Sequence, residues 1–288
     1  MKTPYIFILL LLIILGIASA FCFRHELEKI SPFNNKNIIE SKSSNTSEKN
    51  TGANISTNQS NNLTQTTAKN ENGSAVKIPI LMYHYIRDFN DPNDKIGINL
   101  SVSPSNFSNE LDKIQKAGYE TITFRDILSK SIPAKPIILT FDDGYEDFYQ
   151  NALPVLKSHQ MKAVSFVIFE KQGGDYMTAN QIKELESDGV EVGSHTLSHP
   201  DLTTVSQDKA KTEIGESKTK LENLIGKTII SFCYPSGKVN DAVEKITKDD
   251  GYLFATTTKS GIADFTSDKL LLNRYRMNPD TNISAYLK

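Results

Sequence analysis

Pro136-Ile137-Ile138-Leu139-Thr140-Phe141-Asp142-Asp143-Gly144 is an apolar run that stops abruptly at two adjacent carboxylates and a glycine. Such a run reads as a buried strand that delivers charge to its carboxyl end, where α/β folds place their chemistry. Neighbouring side chains on a strand point to opposite faces. Asp142 and Asp143 therefore share one cleft only if the strand turns as it ends, and Gly144 permits that turn. The plain alternative is a solvated Asp-Asp-Gly turn between a strand and a helix.

Working outward, the pattern repeats. A first buried strand is expected over residues 76–83, ending at His84 and Tyr85. Ser103-Pro104 starts a helix with Phe107, Leu111 and Ile114 inward and Gly118 as its stop. A short strand over 119–123 and a short helix over 124–130 follow. Residues 148–159 read as helical, with Pro154 forcing a kink or a late start. Further strands are expected over 163–169, 190–193, 229–234 and 253–257, with 270–277 closing the pattern. Helices are expected between them, capped by Thr178, Ser206 and Asn240. Alternation of this kind implies a parallel sheet, and about seven units with chemistry at strand ends imply a (β/α) barrel. No G-x-G-x-x-G or Walker-type loop is present, which argues against nucleotide binding.

The 288-residue chain has a net charge of −2, giving no sign of nucleic-acid binding. Its two cysteines are Cys22 and Cys233, too few for a cysteine zinc cluster. Lys2 precedes an apolar stretch over residues 5–23. Ala18-Ser19-Ala20 offers a cleavage site for a secretory signal peptide, and the run also suits an uncleaved signal anchor. Either places the remainder outside the cytoplasm, secreted or held at the cell surface. Residues 24–76 form an Asn/Ser/Thr-rich linker that buries too little apolar surface to order itself. The catalytic domain is expected over 77–288.

The strand at 190–193 delivers Ser194-His195-Thr196-Leu197-Ser198-His199-Pro200. Pro200 and the preceding strand put His195 and His199 on a loop. Two imidazoles and one carboxylate make a three-ligand hydrolytic metal site with a position open for water. Asp143 is the natural third ligand and Asp142, beside it, the natural base.

Thr140-Phe141-Asp142-Asp143-Gly144 followed by Ser194-His195-Thr196-Leu197-Ser198-His199-Pro200 resembles the first two signature motifs of the polysaccharide deacetylases, the NodB-homology domains of carbohydrate esterase family four. The resemblance covers about residues 78–277. It implies a distorted (β/α)7 barrel and a divalent metal, usually Zn2+ and sometimes Co2+ or Ni2+. By the same resemblance Asp142 is the catalytic base, and Asp143, His195 and His199 hold the metal. The implied reaction hydrolyses N-acetyl groups of a GlcNAc-containing polysaccharide and releases acetate. Tyr234-Pro235-Ser236-Gly237 looks like the third motif, which makes the Ser236 amide the candidate oxyanion donor.

Two departures matter. The usual third motif carries an Arg that orients the catalytic Asp, and here Phe232-Cys233-Tyr234-Pro235 has none. The usual late histidine, the general acid, is also missing, since no histidine follows His199. His84, at the end of the first strand, is the candidate acid in its place, and Arg274 or Arg276 the candidate orienter. Tyr145 and Tyr234 are candidates for stacking on sugar faces. The Leu81-Met82-Tyr83-His84 opening, the third motif and the Arg-rich ending look most like the poly-β-1,6-N-acetylglucosamine deacetylase branch, whose members serve exopolysaccharide or biofilm matrix. A peptidoglycan or chitooligosaccharide deacetylase, and an inactive metal-containing carbohydrate-binding domain, are the other readings. No protein partner can be inferred.

Overall fold

Strand alternation along the chain builds one parallel sheet that curls back on itself. The computed structural model describes residues 76–129 and 132–287. The leader expected over 1–23 and nearly all of the linker expected over 24–76 lie outside them.

The sheet strands are β1 (Ile80–Tyr83), β2 (Glu120–Thr121), β3 (Pro136–Phe141), β4 (Ala163–Val167), β5 (Val190–Ser194), β6 (Ser231–Cys233), β7 (Phe254–Thr256) and β8 (Tyr275–Arg276). Their order is β7-β6-β5-β4-β3-β1-β8, every pairing is parallel, and β2 adds to the start of β3. The closing segment completes the ring. Leu272 bridges to Thr256 on β7, and three residues later Tyr275 pairs with Leu81 on β1. Seven strands thus surround a common interior, a distorted (β/α) barrel.

The strands read as continuous apolar runs because both faces are covered. One face packs on helices: Leu81, Tyr83, Ile137, Leu139, Phe141, Val192 and Phe232 cluster with Phe107, Leu111 and Ile114 of the helix Pro104–Lys116, among others. The other fills the barrel: Ile80, Ile138, Val164, Phe166, Cys233, Phe254 and Leu272 form a second cluster. The two-residue period sends Thr140 and Asp142 the same way as Ile138, toward the interior.

Several elements differ from expectation. The strand expected over 76–83 is broken at Pro79, because proline has no N–H to donate to a ladder. Its first part, Lys77–Ile78, pairs antiparallel with Ala263–Asp264 instead. The helix expected over 148–159 is a π-turn at Phe148–Ala152 running into an α-helix at Leu153–Ser158, with Pro154 in its first turn. The long helix after Ser206 is likewise interrupted, as Gln207–Lys211, a π-turn at Thr212–Glu216, and Ser217–Ile225. The short helix expected over 124–130 spans only Phe124–Ile127. Among the described residues no helix is long and apolar enough to cross a membrane.

Candidate active site

The chemistry-bearing residues converge at the carboxyl end of the sheet. Asp142 and Asp143 directly follow β3, His195 follows β5, Cys233 ends β6, and His84 follows β1. Adjacent Asp residues face one cleft because Asp143 itself leaves the strand conformation, with φ at 74°, and Gly144 follows at 79°. A positive φ is uncommon for a non-glycine residue, and Asp is among the few that accept it. Here it undoes the alternation that would send the second carboxylate to the opposite face.

Asp142 is buried and locked to Arg274. Arg274 Nη1 donates to Asp142 Oδ1 at 2.7 Å and Nη2 to Oδ2 at 2.8 Å. The remaining donors are also engaged: Nε with the Thr257 carbonyl at 3.0 Å, Nη1 with Thr140 Oγ1 at 3.0 Å and Nη2 with Cys233 Sγ at 3.2 Å. All five guanidinium N–H groups therefore have acceptors, as a fully buried arginine requires. Burial alone would raise the Asp142 pKa, but the charge and hydrogen bonds of Arg274, joined by His84 and His195, hold it well below the usual carboxylate range. Of the two candidate arginines only Arg274 reaches Asp142; Arg276 is exposed at the rim.

Asp143 faces the histidine pair. Its Oδ1 lies 3.4 Å from His195 Nε2 and 3.6 Å from His199 Nε2, and the two rings meet edge to face at 4.7 Å. His195 Nδ1 donates to the Cys233 carbonyl at 2.7 Å, so that the neutral ring turns its Nε2 lone pair toward Asp143. A backbone acceptor on the far nitrogen is the support that metal-bound imidazoles require. Asp143, His195 and His199 bring one ligand atom each to within 4.8 Å of one another. One carboxylate and two imidazoles fit a divalent ion such as zinc. Asp142, His195 and Cys233 also cluster, but Arg274 Nη2 donates to both the Asp142 carboxylate and the thiol, so a cation there would oppose a buried guanidinium.

His84 Nε2 lies 3.9 Å from Asp142 Oδ2. Its Nδ1 is buried and has no hydrogen-bond partner among the described residues. Burial lowers its pKa, with Asp142 and Asp143 opposing that trend.

Ser236 sits just beyond β6 in left-handed conformation, φ 55°, inside a turn closed by the Gly237 N–H donating to the Tyr234 carbonyl at 2.8 Å. Neither expected sugar-stacking tyrosine presents a free ring face. Tyr234 is fully buried and packs edge-on against Phe232 at 5.2 Å, because the strand period turns it under the helices while Cys233 turns inward. Tyr145 is sandwiched between Tyr85 at 3.8 Å and Tyr176 at 5.1 Å, both nearly parallel to it. The ladder continues to Arg87, stacked 3.6 Å over Tyr85, and leaves Tyr145 only its edge and hydroxyl.

Two contributors escaped the sequence reading. Cys233 ends a strand beside the carboxylates, and the period from Phe232 would have aimed it inward. Glu213, described further below, falls on the inward face of its helix with Ala210, Ile214, Ser217 and Leu221. A charge in that company is a usable signal.

Residues 129–255 match the family model for polysaccharide deacetylase. The chain is 32% identical over 216 residues, 73% of its length and 75% of the other, to YxkH of Bacillus subtilis (strain 168), a protein named provisionally as a polysaccharide deacetylase. The solved deacetylase PplD of Streptococcus pyogenes, in complex with acetate, superimposes with a TM-score of 0.69 at 35% identity, covering 74% of this chain and 98% of that one. A more distant relative is the poly-β-1,6-N-acetyl-D-glucosamine N-deacetylase of Staphylococcus aureus (strain MRSA252). It is 23% identical over 227 residues, 69% of this chain and 78% of that one.

Proposed function

This chain belongs to the polysaccharide deacetylase family, and from that premise we propose that it removes N-acetyl groups from a GlcNAc-containing extracellular polymer, with Asp143, His195 and His199 holding a divalent metal. The observation that carries the reading is the separation of roles between adjacent carboxylates. Asp142 is bound by Arg274, whereas Asp143 faces two imidazoles.

A divalent metal bound there supplies Lewis-acid polarisation of the acetamide carbonyl and a more acidic water. Asp142, kept ionised by Arg274, accepts the proton of the attacking water. Its orientation is fixed by two parallel hydrogen bonds rather than one, which holds the accepting oxygen in place. His84, 3.9 Å from Asp142, takes that proton on from Asp142 and delivers it to the departing amine nitrogen. The Ser236 amide serves as oxyanion donor. Amide and water become amine and acetate, and acetate is the molecule bound in the PplD structure.

The finer substrate is a poly-β-1,6-linked GlcNAc, as in exopolysaccharide or biofilm matrix. Three things support it: the early His84, an orienting arginine supplied from the closing segment, and the Staphylococcus relative. The leader over 1–23 and the linker over 24–76 suit a domain outside the cytoplasm that reaches a polymer from the membrane. The test is to incubate the purified full chain with β-1,6- and β-1,4-linked GlcNAc oligomers, with and without a chelator, and to measure acetate. Chelator-sensitive release favouring the β-1,6 series is expected, and His84→Ala is expected to lower it about 100-fold or more. Release from neither series would sink the enzymatic reading, preference for β-1,4 oligomers would overturn the linkage, and undiminished turnover in His84→Ala would overturn the acid.

A further inference from the structure

The loop carrying both histidines is held in a conformation it would not adopt alone. Thr196 and His199 have φ of 69° and 67°, a region that is costly for a non-glycine residue. Local bonds oppose part of that cost: Thr196 Oγ1 donates to the His195 carbonyl at 2.5 Å and accepts from the His199 N–H at 2.9 Å. Between those residues, two consecutive backbone N–H groups point away from the strands. Leu197 N–H and Ser198 N–H both donate to Glu213 Oε2, at 3.0 and 2.9 Å, and Ser198 Oγ–H donates to Oε1 at 2.7 Å.

Glu213 is fully buried. Its charge is matched by Lys209, one helical turn earlier, whose Nζ lies 2.8 Å from Oε1. Burial would raise its pKa, but Lys209 and Ser198 more than offset this and keep it lowered. Glu213 sits on the π-turn at Thr212–Glu216. There the Ile214 carbonyl accepts from Tyr252 Oη at 3.1 Å and Ser217 Oγ at 2.9 Å. A π-turn shifts the helical phase of the residues around it, and such turns recur at functional sites. Side chains outside the helical ladder thus hold the π-turn that carries Glu213 to the loop.

We propose that Glu213 is a positioning residue that fixes the His195–His199 loop in its ligand-ready form before any metal binds, and thereby sets the metal affinity. The affinity half rests on the metal reading of the site; the loop half does not. Fixing the loop in advance removes an ordering cost that metal binding would otherwise carry, and loss of supporting contacts behind metal ligands weakens binding about 10- to 100-fold.

The experiment compares wild type with Glu213→Ala, Glu213→Gln and Ser198→Ala. Amide hydrogen exchange is followed in the chelator-treated protein, and the zinc dissociation constant by competition with a chromophoric chelator. In Glu213→Ala, exchange at Leu197 and Ser198 should accelerate more than 10-fold while amides of β4 keep their protection. Zinc affinity should fall about 10- to 100-fold. Glu213→Gln, which keeps one acceptor oxygen, should recover part of both. Ser198→Ala, which removes only the hydroxyl arm, gives a milder loss of the same sign and carries the test if Glu213→Ala does not fold. Loop exchange and zinc affinity within twofold of wild type in Glu213→Gln and Ser198→Ala would overturn the proposal. A wild type that binds no zinc would overturn the metal reading and the affinity half, with the exchange arm still deciding whether Glu213 fixes the loop.

Discussion

Arg274 places all five donors around Asp142, Thr140, Cys233 and Thr257, so the orientation of the candidate base depends on a planar fork. Lysine would keep the charge but replace that fork with a single point. Arg274→Lys is therefore expected to lower turnover about 100-fold, with bound metal and secondary structure unchanged, because small misplacement of a reacting group costs about that much. Turnover within a few-fold of wild type would mean that Asp142 needs no such clamp. At this scale the sequence was informative about residue types and weaker about directions. The two carboxylates and two histidines could be read as one site from their order on strand ends. The choice between Arg274 and Arg276 could not, because it depends on how the closing segment crosses from Thr256 to Leu81, contacts far apart in the chain. The placement of Tyr234 follows from its strand period rather than from its residue type: Phe232 and Tyr234 share the face under the helices, and Cys233 has the face beside Asp142.

The helix Pro104–Lys116 carries a similar buried carboxylate. Glu110 lies among Phe107, Leu111 and Ile114 and accepts from Tyr83 Oη at 2.8 Å. Burial outweighs the Tyr83 bond and pushes its pKa up to about 7. The folded state therefore holds this proton more tightly than the unfolded chain does. The stability it contributes is complete below about pH 4.5 and is lost as pH rises through about 7, on the order of 3 kcal/mol in all. Glu110→Gln should remove that slope. Chemical denaturation of both proteins between pH 4.5 and 7.5 measures it, and parallel profiles would contradict the assignment. Helix and strand positions were mostly legible from caps and apolar spacing, as in Ser103, Thr178 and Asn240, each of which accepts a bond from the first turn of its helix. The π-turns were not. They keep an apolar pattern compatible with an ordinary helix, and what holds one of them, Tyr252 on Ile214, comes from another part of the chain.

For the molecule as a whole, the barrel was legible because strand and helix alternate along the chain and residues 270–277 close the pattern; the manner of closure, one bridge and a two-residue strand, was not. The fold brings four strand ends to one cleft, and the family resemblance gives that cleft a reaction. The central claim is that adjacent carboxylates have separate tasks there, Asp142 moving a proton and Asp143 holding the metal. Zinc content and acetate release measured side by side on Asp142→Asn and Asp143→Asn test it most directly, with thermal melting to confirm that both variants fold. The account predicts that Asp142→Asn keeps its zinc and loses turnover, whereas Asp143→Asn loses both. Zinc lost from Asp142→Asn and kept in Asp143→Asn would contradict it.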